Sequence, residues 1–189
     1  FAIHGYRQLA PYFIKQFQVL ADMGVMIIAP EGLHRFYVEG YSGRVGASWM
    51  TKEDREIDIE DYVRYLNTLY RSALSEIEGL PVHLLGFSQG GSICWKLGLD
   101  FSSRFRRIIP MSSFIHPSYL NNKLEFYKDL LIYSSHGLLD DVIPIDLVED
   151  YILELSKNNS LTFEKYNSGH TINQRNLLSL IEWLNKTDI

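Results

Sequence analysis

Short apolar runs alternate along the chain with stretches in which apolar residues recur at helical spacing. The first five runs are almost continuously apolar, which is typical of strands covered on both faces. The sixth alternates between apolar and polar residues, which favours the edge of a sheet. Strands that alternate with helices predict an α/β fold on a mostly parallel sheet. The predicted strands are residues 1–3, 25–29, 82–87, 107–111, 130–135 and 161–166.

Four amphipathic stretches provide predicted helices between and after these strands. Pro11 stands where a first helical turn accepts proline, and Gly24 stands where a helix ends. Residues 51–54, TKED, precede the second stretch and have the sequence of a capping box. We expect the apolar stripes of the four helices to face the core; they are Phe13, Ile14, Phe17, Leu20 and Ala21, then Ile59, Tyr62, Val63, Leu66, Leu69 and Tyr70, then Leu147, Val148, Tyr151, Ile152 and Leu155, and finally Leu177, Leu178, Ile181 and Leu184.

Residues 30–50 form a long region without clear periodicity. A loop of about twenty residues is unusual in a compact domain and is often functional. Trp49 lies at its end, while Phe114 and Val142 lie on other predicted loops. Two interpretations of these three residues carry equal weight: they form the apolar wall of a substrate pocket, or they belong to the core.

The composition is that of a globular protein, with 46% hydrophobic and 22% charged residues. A length of 189 residues predicts a single domain over residues 1–189. The net charge of -5 argues against nucleic acid as a partner, because it offers no positive surface for phosphate. Arg104, Arg106 and Arg107 form only a local cluster, of the kind that complements the end of a helix.

Cys94 is the single cysteine, so no internal disulfide can form and a cytoplasmic location is the expectation. No apolar run approaches the roughly 20 residues that cross a bilayer, so we expect no membrane span. The chain begins FAIHGY without an initiator Met, which leaves open that further N-terminal strands or a targeting segment precede Phe1.

Ser88 is the candidate nucleophile. Residues 86–90, GFSQG, follow a predicted strand and precede a predicted helix, which is the setting of a nucleophile elbow. In that turn a serine is held between glycines that let neighbouring backbones pass closely. A serine hydroxyl is a weak nucleophile at neutral pH, so the site also needs a histidine base and a carboxylate.

His170 is the candidate base, because it follows the last predicted strand and precedes the last helix. That position is near the carboxyl edge of the sheet, where ligands bind in open α/β folds. We expect the other five histidines to be structural or exposed to solvent. Asp140 or its neighbour Asp141 follows the strand 130–135, and either gives the chain order Ser, Asp, His.

Two backbone N–H groups must stabilise the oxyanion of the tetrahedral intermediate. The amide of Gln89 lies directly after the candidate nucleophile. The loop after the first strand contains HGYRQ, and we assign the second donor to the amide of Tyr6, with Arg7 as the alternative.

Four blocks in this order resemble the phospholipase/carboxylesterase family of α/β-hydrolases: HGYRQ at 4–8, GFSQGG at 86–91, HGLLDDVIP at 136–144 and SGH at 168–170. The resemblance implies an α/β-hydrolase fold, with a mostly parallel sheet covered by helices on both faces and no large cap domain. It also implies that Ser88 is the nucleophile, Asp140 the acid, His170 the base, and Tyr6 and Gln89 the oxyanion donors. The implied reaction is hydrolysis of carboxylic esters, with no cofactor or metal.

Two departures from the family pattern bear on the substrate. Family members that act on thioesters commonly carry Trp-Phe-Asp after the second strand, whereas this chain has Trp-Met-Thr at 49–51, which favours esters. The segment between Ser113 and Phe126, FIHPSYLNNKLE, is short and polar, which favours short or medium acyl chains. The expected partner is therefore a small-molecule ester.

Other functions remain open on the same sequence. An acyl-protein thioesterase or a serine peptidase would use the same three side chains, and so would a lactone or carbon–carbon hydrolase. A non-catalytic ligand-binding protein on this scaffold is a further alternative, because fold does not determine function. Apolar loops around a site without a cap also leave room for a homodimer.

Overall fold

A central parallel sheet organises the computed structural model, which describes residues 1–117, 130–157 and 160–187. Within these ranges the strands are β1 (Ala2–Ile3), β2 (His34–Tyr37), β3 (Val45–Ser48), β4 (His83–Phe87), β5 (Arg107–Met111), β6 (Leu131–Gly137) and β7 (Leu161–Tyr166). Five of them form the parallel sheet in the order β1-β4-β5-β6-β7, and β2 and β3 form a separate antiparallel hairpin.

Helices cover both faces of this sheet. They are α1 (Ala10–Phe13), α2 (Gln18–Asp22), α3 (Arg55–Ile77), α4 (Gln89–Asp100), α5 (Glu149–Ser156) and α6 (Gln174–Lys186). Successive strand residues point to opposite faces, so Leu84 packs with apolar residues of α3, α4 and α5 whereas Leu85 packs with those of α1, α2 and α6. The predicted α/β fold is confirmed, and no cap domain is present among the described residues.

Most of the predicted elements are confirmed. Strands 107–111 and 161–166 have the predicted bounds, and β7 lies at the edge of the sheet as its alternating pattern indicates. The first predicted helix is divided into α1, a 3-10 turn at Ile14–Phe17, and α2. In the parts of the chain that the structure describes, no helix has both the length and the apolar character that a membrane span needs.

The prediction of a strand at 25–29 is wrong. This segment runs beside β1 and makes one backbone hydrogen bond to it, from the Ala2 amide to the Ile28 carbonyl at 2.9 Å. Val25 and Met26 are exposed, so two of the five residues of the apolar run are not covered. Because β1 is only two residues long, it offers too few partners for a second ladder on this side.

The region 30–50 is not a plain loop, because it contains the hairpin of β2 and β3. His34 pairs with Ser48 and Tyr37 pairs with Val45, so the expectation that His34 lies in a loop is also wrong. β2 is mostly exposed and its sequence, HRFY, has no alternation, which explains why the pattern of apolar residues does not reveal it. An isolated bridge between Gln8 and Ala47 joins the hairpin to the loop after β1.

The predicted capping box at 51–54 is also wrong. α3 begins at Arg55, so Thr51 lies three residues before the N-cap position, which Asp54 occupies with a φ of +47° and no side-chain cap. The Thr51 amide instead donates to the Asp58 carboxylate at 2.7 Å. α6 has a capping box that the sequence analysis missed, in which the side chains of Asn173 and Asn176 each accept from the other's amide.

Candidate active site

Ser88 occupies a sharp turn between β4 and α4. Its backbone has φ +56° and ψ −118°, a left-handed value that serine rarely adopts and that costs on the order of 1–3 kcal/mol. The turn is tight enough to require glycine on both sides. A Cβ on Gly86 would lie 2.2 Å from the Gly90 carbonyl oxygen, and a Cβ on Gly90 would lie 2.1 Å from that of Ile3. The geometry is that of a nucleophile elbow.

Parallel register brings the other candidate residues to the same edge of the sheet. Ile3 pairs with Gly86 at the end of β1 and β4, and Gly137 pairs with Tyr166 at the end of β6 and β7. The segments that follow β1, β4, β6 and β7 therefore emerge together beyond the carboxyl ends of these strands, where open α/β sheets bind ligands.

A continuous series of hydrogen bonds joins Ser88, His170 and Asp140. The Ser88 Oγ lies 2.9 Å from His170 Nε2, and His170 Nδ1 lies 2.7 Å from Asp140 Oδ2. Because a carboxylate only accepts, the Nδ1–H of a neutral His170 donates to Asp140, and Nε2 accepts from the Ser88 hydroxyl. The histidine is thereby in the tautomer that a general base for Ser88 requires.

The Asp140 carboxylate is buried and held by the backbone of its own loop. Its Oδ1 accepts from the amides of Val142 and Ile143 at 3.0 and 2.8 Å. Buried His136 supports the same loop, since its Nε2 is 2.8 Å from the Ile143 carbonyl oxygen and 3.5 Å from Asp140 Oδ2. Asp141, the alternative carboxylate, is exposed. Geometry therefore favours Asp140 as the partner of His170.

The candidate oxyanion donors lie on either side of Ser88. Among the described residues, neither the Tyr6 amide nor the Gln89 amide has a hydrogen-bond acceptor, so both are available to a ligand. The Arg7 amide is not available, because it donates to the Ala47 carbonyl at 2.9 Å. Gly5 brings this loop against the nucleophile: a Cβ there would lie 3.1 Å from the Ser88 Cβ.

His4 holds the loop that carries the Tyr6 amide. Its ring is fully buried; Nδ1 lies 2.8 Å from the Gly5 carbonyl oxygen, and Nε2 accepts from the Gly32 amide at 2.9 Å. Since Nε2 must accept, neutral His4 carries its proton on Nδ1 and donates to Gly5. Burial lowers the pKa of His4, which favours this neutral form. The sequence offers no signal for these contacts beyond the His-Gly pair itself.

The three predicted pocket residues lie in different surroundings. Trp49 has no exposed surface and packs between the rings of His4 and Tyr65, so it is a core residue and cannot line an open pocket. Phe114 is half-buried, and Val142 is 63% exposed beside Asp140. Two further exposed apolar residues precede Asp140 in the same loop, Leu138 and Leu139, which the sequence analysis did not single out.

Comparisons with known proteins bear on the family and on the fold. Residues 43–188 match the model of the family described as Phospholipase/Carboxylesterase. No curated protein sequence matches the chain. The solved structure of esterase PE8 is similar, with 24% identity and a TM-score of 0.79 over 98% of this chain and 90% of that one.

Two further solved structures have the same fold at lower identity. The Bacillus cereus carboxylesterase shares 13% identity, with a TM-score of 0.73 over 98% of this chain and 86% of that one. The acyl-protein thioesterase 2 of Zea mays shares 16% identity, with a TM-score of 0.68 over 98% of this chain and 91% of that one. At identities this low, the similarity shows a shared fold alone.

Proposed function

The chain belongs to the phospholipase/carboxylesterase family of α/β-hydrolases, and from this premise we propose that it hydrolyses small carboxylic esters through an acyl-enzyme on Ser88. The observation that carries the proposal is the unbroken series of hydrogen bonds from Ser88 through His170 to Asp140. A binding protein on the same scaffold would have no use for a serine held in a left-handed conformation against a histidine that accepts its proton.

In the first half of the reaction Ser88 Oγ attacks the ester carbonyl carbon, and its proton passes to His170 Nε2. Asp140 stabilises the resulting imidazolium, while the amides of Tyr6 and Gln89 donate to the oxyanion of the tetrahedral intermediate. The intermediate then collapses. The bond to the alcohol oxygen breaks, this oxygen takes the proton from His170, and the acyl group stays on Ser88 as an ester.

Water completes the cycle in the second half. His170 takes a proton from a water molecule as that water attacks the acyl carbon, and the same two amides stabilise the second tetrahedral intermediate. Collapse returns the proton to Ser88 Oγ and releases the carboxylic acid. The chemistry needs only the enzyme's side chains, its backbone amides and water.

Short or medium acyl esters are the proposed substrates. Trp49 and Met50 stand where thioesterases of the family carry Trp-Phe, and the segment 114–125 is short and polar. Residues 118–125 of that segment lie outside the described residues, and its polarity is that of its sequence. The exposed side chains of Leu138, Leu139 and Val142 provide apolar contact beside Asp140.

The test is hydrolysis of a p-nitrophenyl ester series, from acetyl to palmitoyl, by the wild-type protein and by Ser88→Ala. We expect the wild type to be fastest on acetyl to octanoyl esters and the folded variant to be inactive. Activity that survives in Ser88→Ala would exclude Ser88 as the nucleophile. A maximum at palmitoyl would exclude the proposed acyl range while leaving the mechanism intact.

Thioester hydrolysis is the second candidate, because its tetrahedral intermediate needs the same nucleophile and the same oxyanion donors. The fold shared with a plant acyl-protein thioesterase makes the comparison worthwhile. Octanoyl esters and octanoyl thioesters of matched leaving groups should be compared at equal enzyme concentration. We expect the ester to have the larger kcat/KM, and the reverse order would favour the thioesterase.

A further inference from the structure

We propose that the side chains of Gln89 and Trp49 are positioning residues that set the separation of the two oxyanion donors. The inference rests on the proposed function, in which the Tyr6 and Gln89 amides stabilise the oxyanion. These amides belong to different parts of the chain, one after β1 and the other at the start of α4. A site that uses both must hold the two segments at a constant distance from each other.

The Gln89 carboxamide ties the start of α4 to the residues that follow β3. Its Oε1 accepts from the Trp49 amide at 2.9 Å, and its Nε2 donates to the Met50 carbonyl at 2.8 Å. The Ser48 hydroxyl donates to the same Met50 carbonyl at 2.7 Å, and this bond holds the backbone of residues 48–50 to which Gln89 is hydrogen-bonded. One residue therefore provides an oxyanion N–H from its backbone and an anchor from its side chain.

The Trp49 indole continues this connection to the loop after β1. Its Nε1 donates to the His4 carbonyl at 2.9 Å, and the ring is completely buried 5.2 Å from the His4 ring. The His4 carbonyl belongs to the peptide group that joins His4 to Gly5, and the Tyr6 amide belongs to the next peptide group. Two backbone hydrogen bonds also join this loop to β3: the Arg7 amide donates to the Ala47 carbonyl, and the Ala47 amide donates to the Gln8 carbonyl.

A role in positioning explains two features that the reaction itself does not require. The fully buried indole of Trp49 has a polar partner, and the Gln89 carboxamide uses both its oxygen and its nitrogen although the Gln89 backbone amide alone would serve catalysis. Relative movement of α4 and the first loop would leave buried donors and acceptors unpaired, which costs about 1–3 kcal/mol for each group. The two amides are thus preorganised before charge develops on the substrate.

The experiment compares Trp49→Phe and Gln89→Met with the wild type on one p-nitrophenyl ester. Both variants keep the backbone amides, and each removes side-chain hydrogen bonds while keeping most of the apolar volume. Loss of a whole oxyanion donor costs about 10²- to 10³-fold in rate, so misplacement should lower kcat by about 10- to 100-fold. KM should stay within about twofold, because the ground-state carbonyl depends less on these donors.

The Ki of an aryl trifluoromethyl ketone is a second measurement, and it would not change if Trp49 and Gln89 had a merely structural role. This inhibitor adds to a serine to form a tetrahedral oxyanion, so its Ki should rise by the same factor by which kcat falls. Gln89→Leu should behave as Gln89→Met does, because it also keeps the backbone amide and removes both side-chain hydrogen bonds. It also serves as the second variant if Gln89→Met does not fold.

Tyr133→Phe is the matched control, since it removes the hydroxyl of a fully buried aromatic residue that hydrogen-bonds to Tyr166 at 2.7 Å on the α6 side of the sheet. It should lower stability and leave kcat and Ki unchanged. If the folded Trp49→Phe and Gln89 variants behave like this control, the inference is overturned and the proposed function stands. Activity that persists in Ser88→Ala would overturn the proposed function, and the inference with it.

Discussion

At the scale of single residues, His4 makes the stability of the protein depend on pH. Burial lowers its pKa, so between that value and about 6.5, the ordinary pKa of histidine, the unfolded chain binds more protons at this residue than the folded protein. The free energy of unfolding therefore increases with pH across this window. The contribution of His4 is fully present above about pH 6.5 and is lost as the pH falls through the folded pKa.

Urea unfolding between pH 5 and 7.5 tests this dependence, with His4→Gln as the comparison. Glutamine can accept from the Gly32 amide and donate to a carbonyl, but it does not titrate. We expect the wild type to lose more stability on acidification than the variant does. Equal slopes for the two proteins would mean that other groups account for the pH dependence.

His170 makes the rate depend on pH for a different reason. A proton on Nε2 removes the acceptor of the Ser88 hydroxyl, which lies 2.9 Å away, so protonated His170 cannot act as the base. We expect kcat/KM to fall on acidification, because the fraction of His170 that can accept the Ser88 proton decreases. Stopped-flow ester hydrolysis at pH values where circular dichroism reports an intact fold measures this. A rate that does not fall with acidification anywhere in the range where the fold is intact would contradict the assignment of His170.

At the scale of elements, Gly137 sets how closely the loops after β6 and β7 approach. A Cβ at this position would lie 2.4 Å from the Ser168 carbonyl oxygen and 2.5 Å from that of Gly169. Gly137→Ala must therefore move residues 168–169, and His170 with them, away from Asp140. We expect kcat to fall by about 10²-fold, in line with the effect of small displacements on catalysis.

Gly169→Ala is the control for this substitution, because its Cβ would meet only the Leu139 carbonyl oxygen, at an ordinary 3.5 Å. Steady-state kinetics and thermal unfolding of both variants separate displacement of the loop from a general loss of stability. If the two alanine variants lose activity to the same extent, the close approach at Gly137 is not what positions His170.

The elements also indicate what a single sequence can and cannot predict. β5 has the predicted bounds because its continuous apolar run is buried, and β7 has them because its alternating pattern is that of an edge strand. The run at 25–29 has the continuous apolar pattern of β5 but forms no ladder, because an apolar pattern contains no information on strand pairing. The contacts of His4 and Gln89 join positions about 30 to 40 residues apart and leave no periodic signature along the chain.

At the scale of the whole molecule, the two apolar clusters share one sheet, and this connection predicts cooperative unfolding. Neighbouring strand residues contribute to different clusters: Ile108 packs with α3, α4 and α5, whereas Ile109 packs with α1, α2 and α6. Neither face can lose its helices without exposing the strands on which the other face depends. We therefore propose that residues 1–189 behave as a single domain that unfolds in one two-state transition.

The paired substitutions Ile108→Ala and Ile109→Ala test this proposal from the two faces. Each removes a nearly fully buried side chain, so each should lower the free energy of unfolding by about 2–5 kcal/mol. Leu178→Ala, at a position that is 52% exposed, should change it by less than about 0.5 kcal/mol.

Urea titrations followed by tryptophan fluorescence and by far-ultraviolet circular dichroism should give coincident curves for every variant. Trp95 lies in the cluster of Ile108, and Trp183 lies in the cluster of Ile109. In a Trp183→Phe background the tryptophan fluorescence reports mainly on the cluster of Ile108. Ile109→Ala should still shift the unfolding curve followed by this fluorescence by its full amount. A signal that ignores Ile109→Ala, or a second transition, would mean that the two faces unfold separately despite the strands they share.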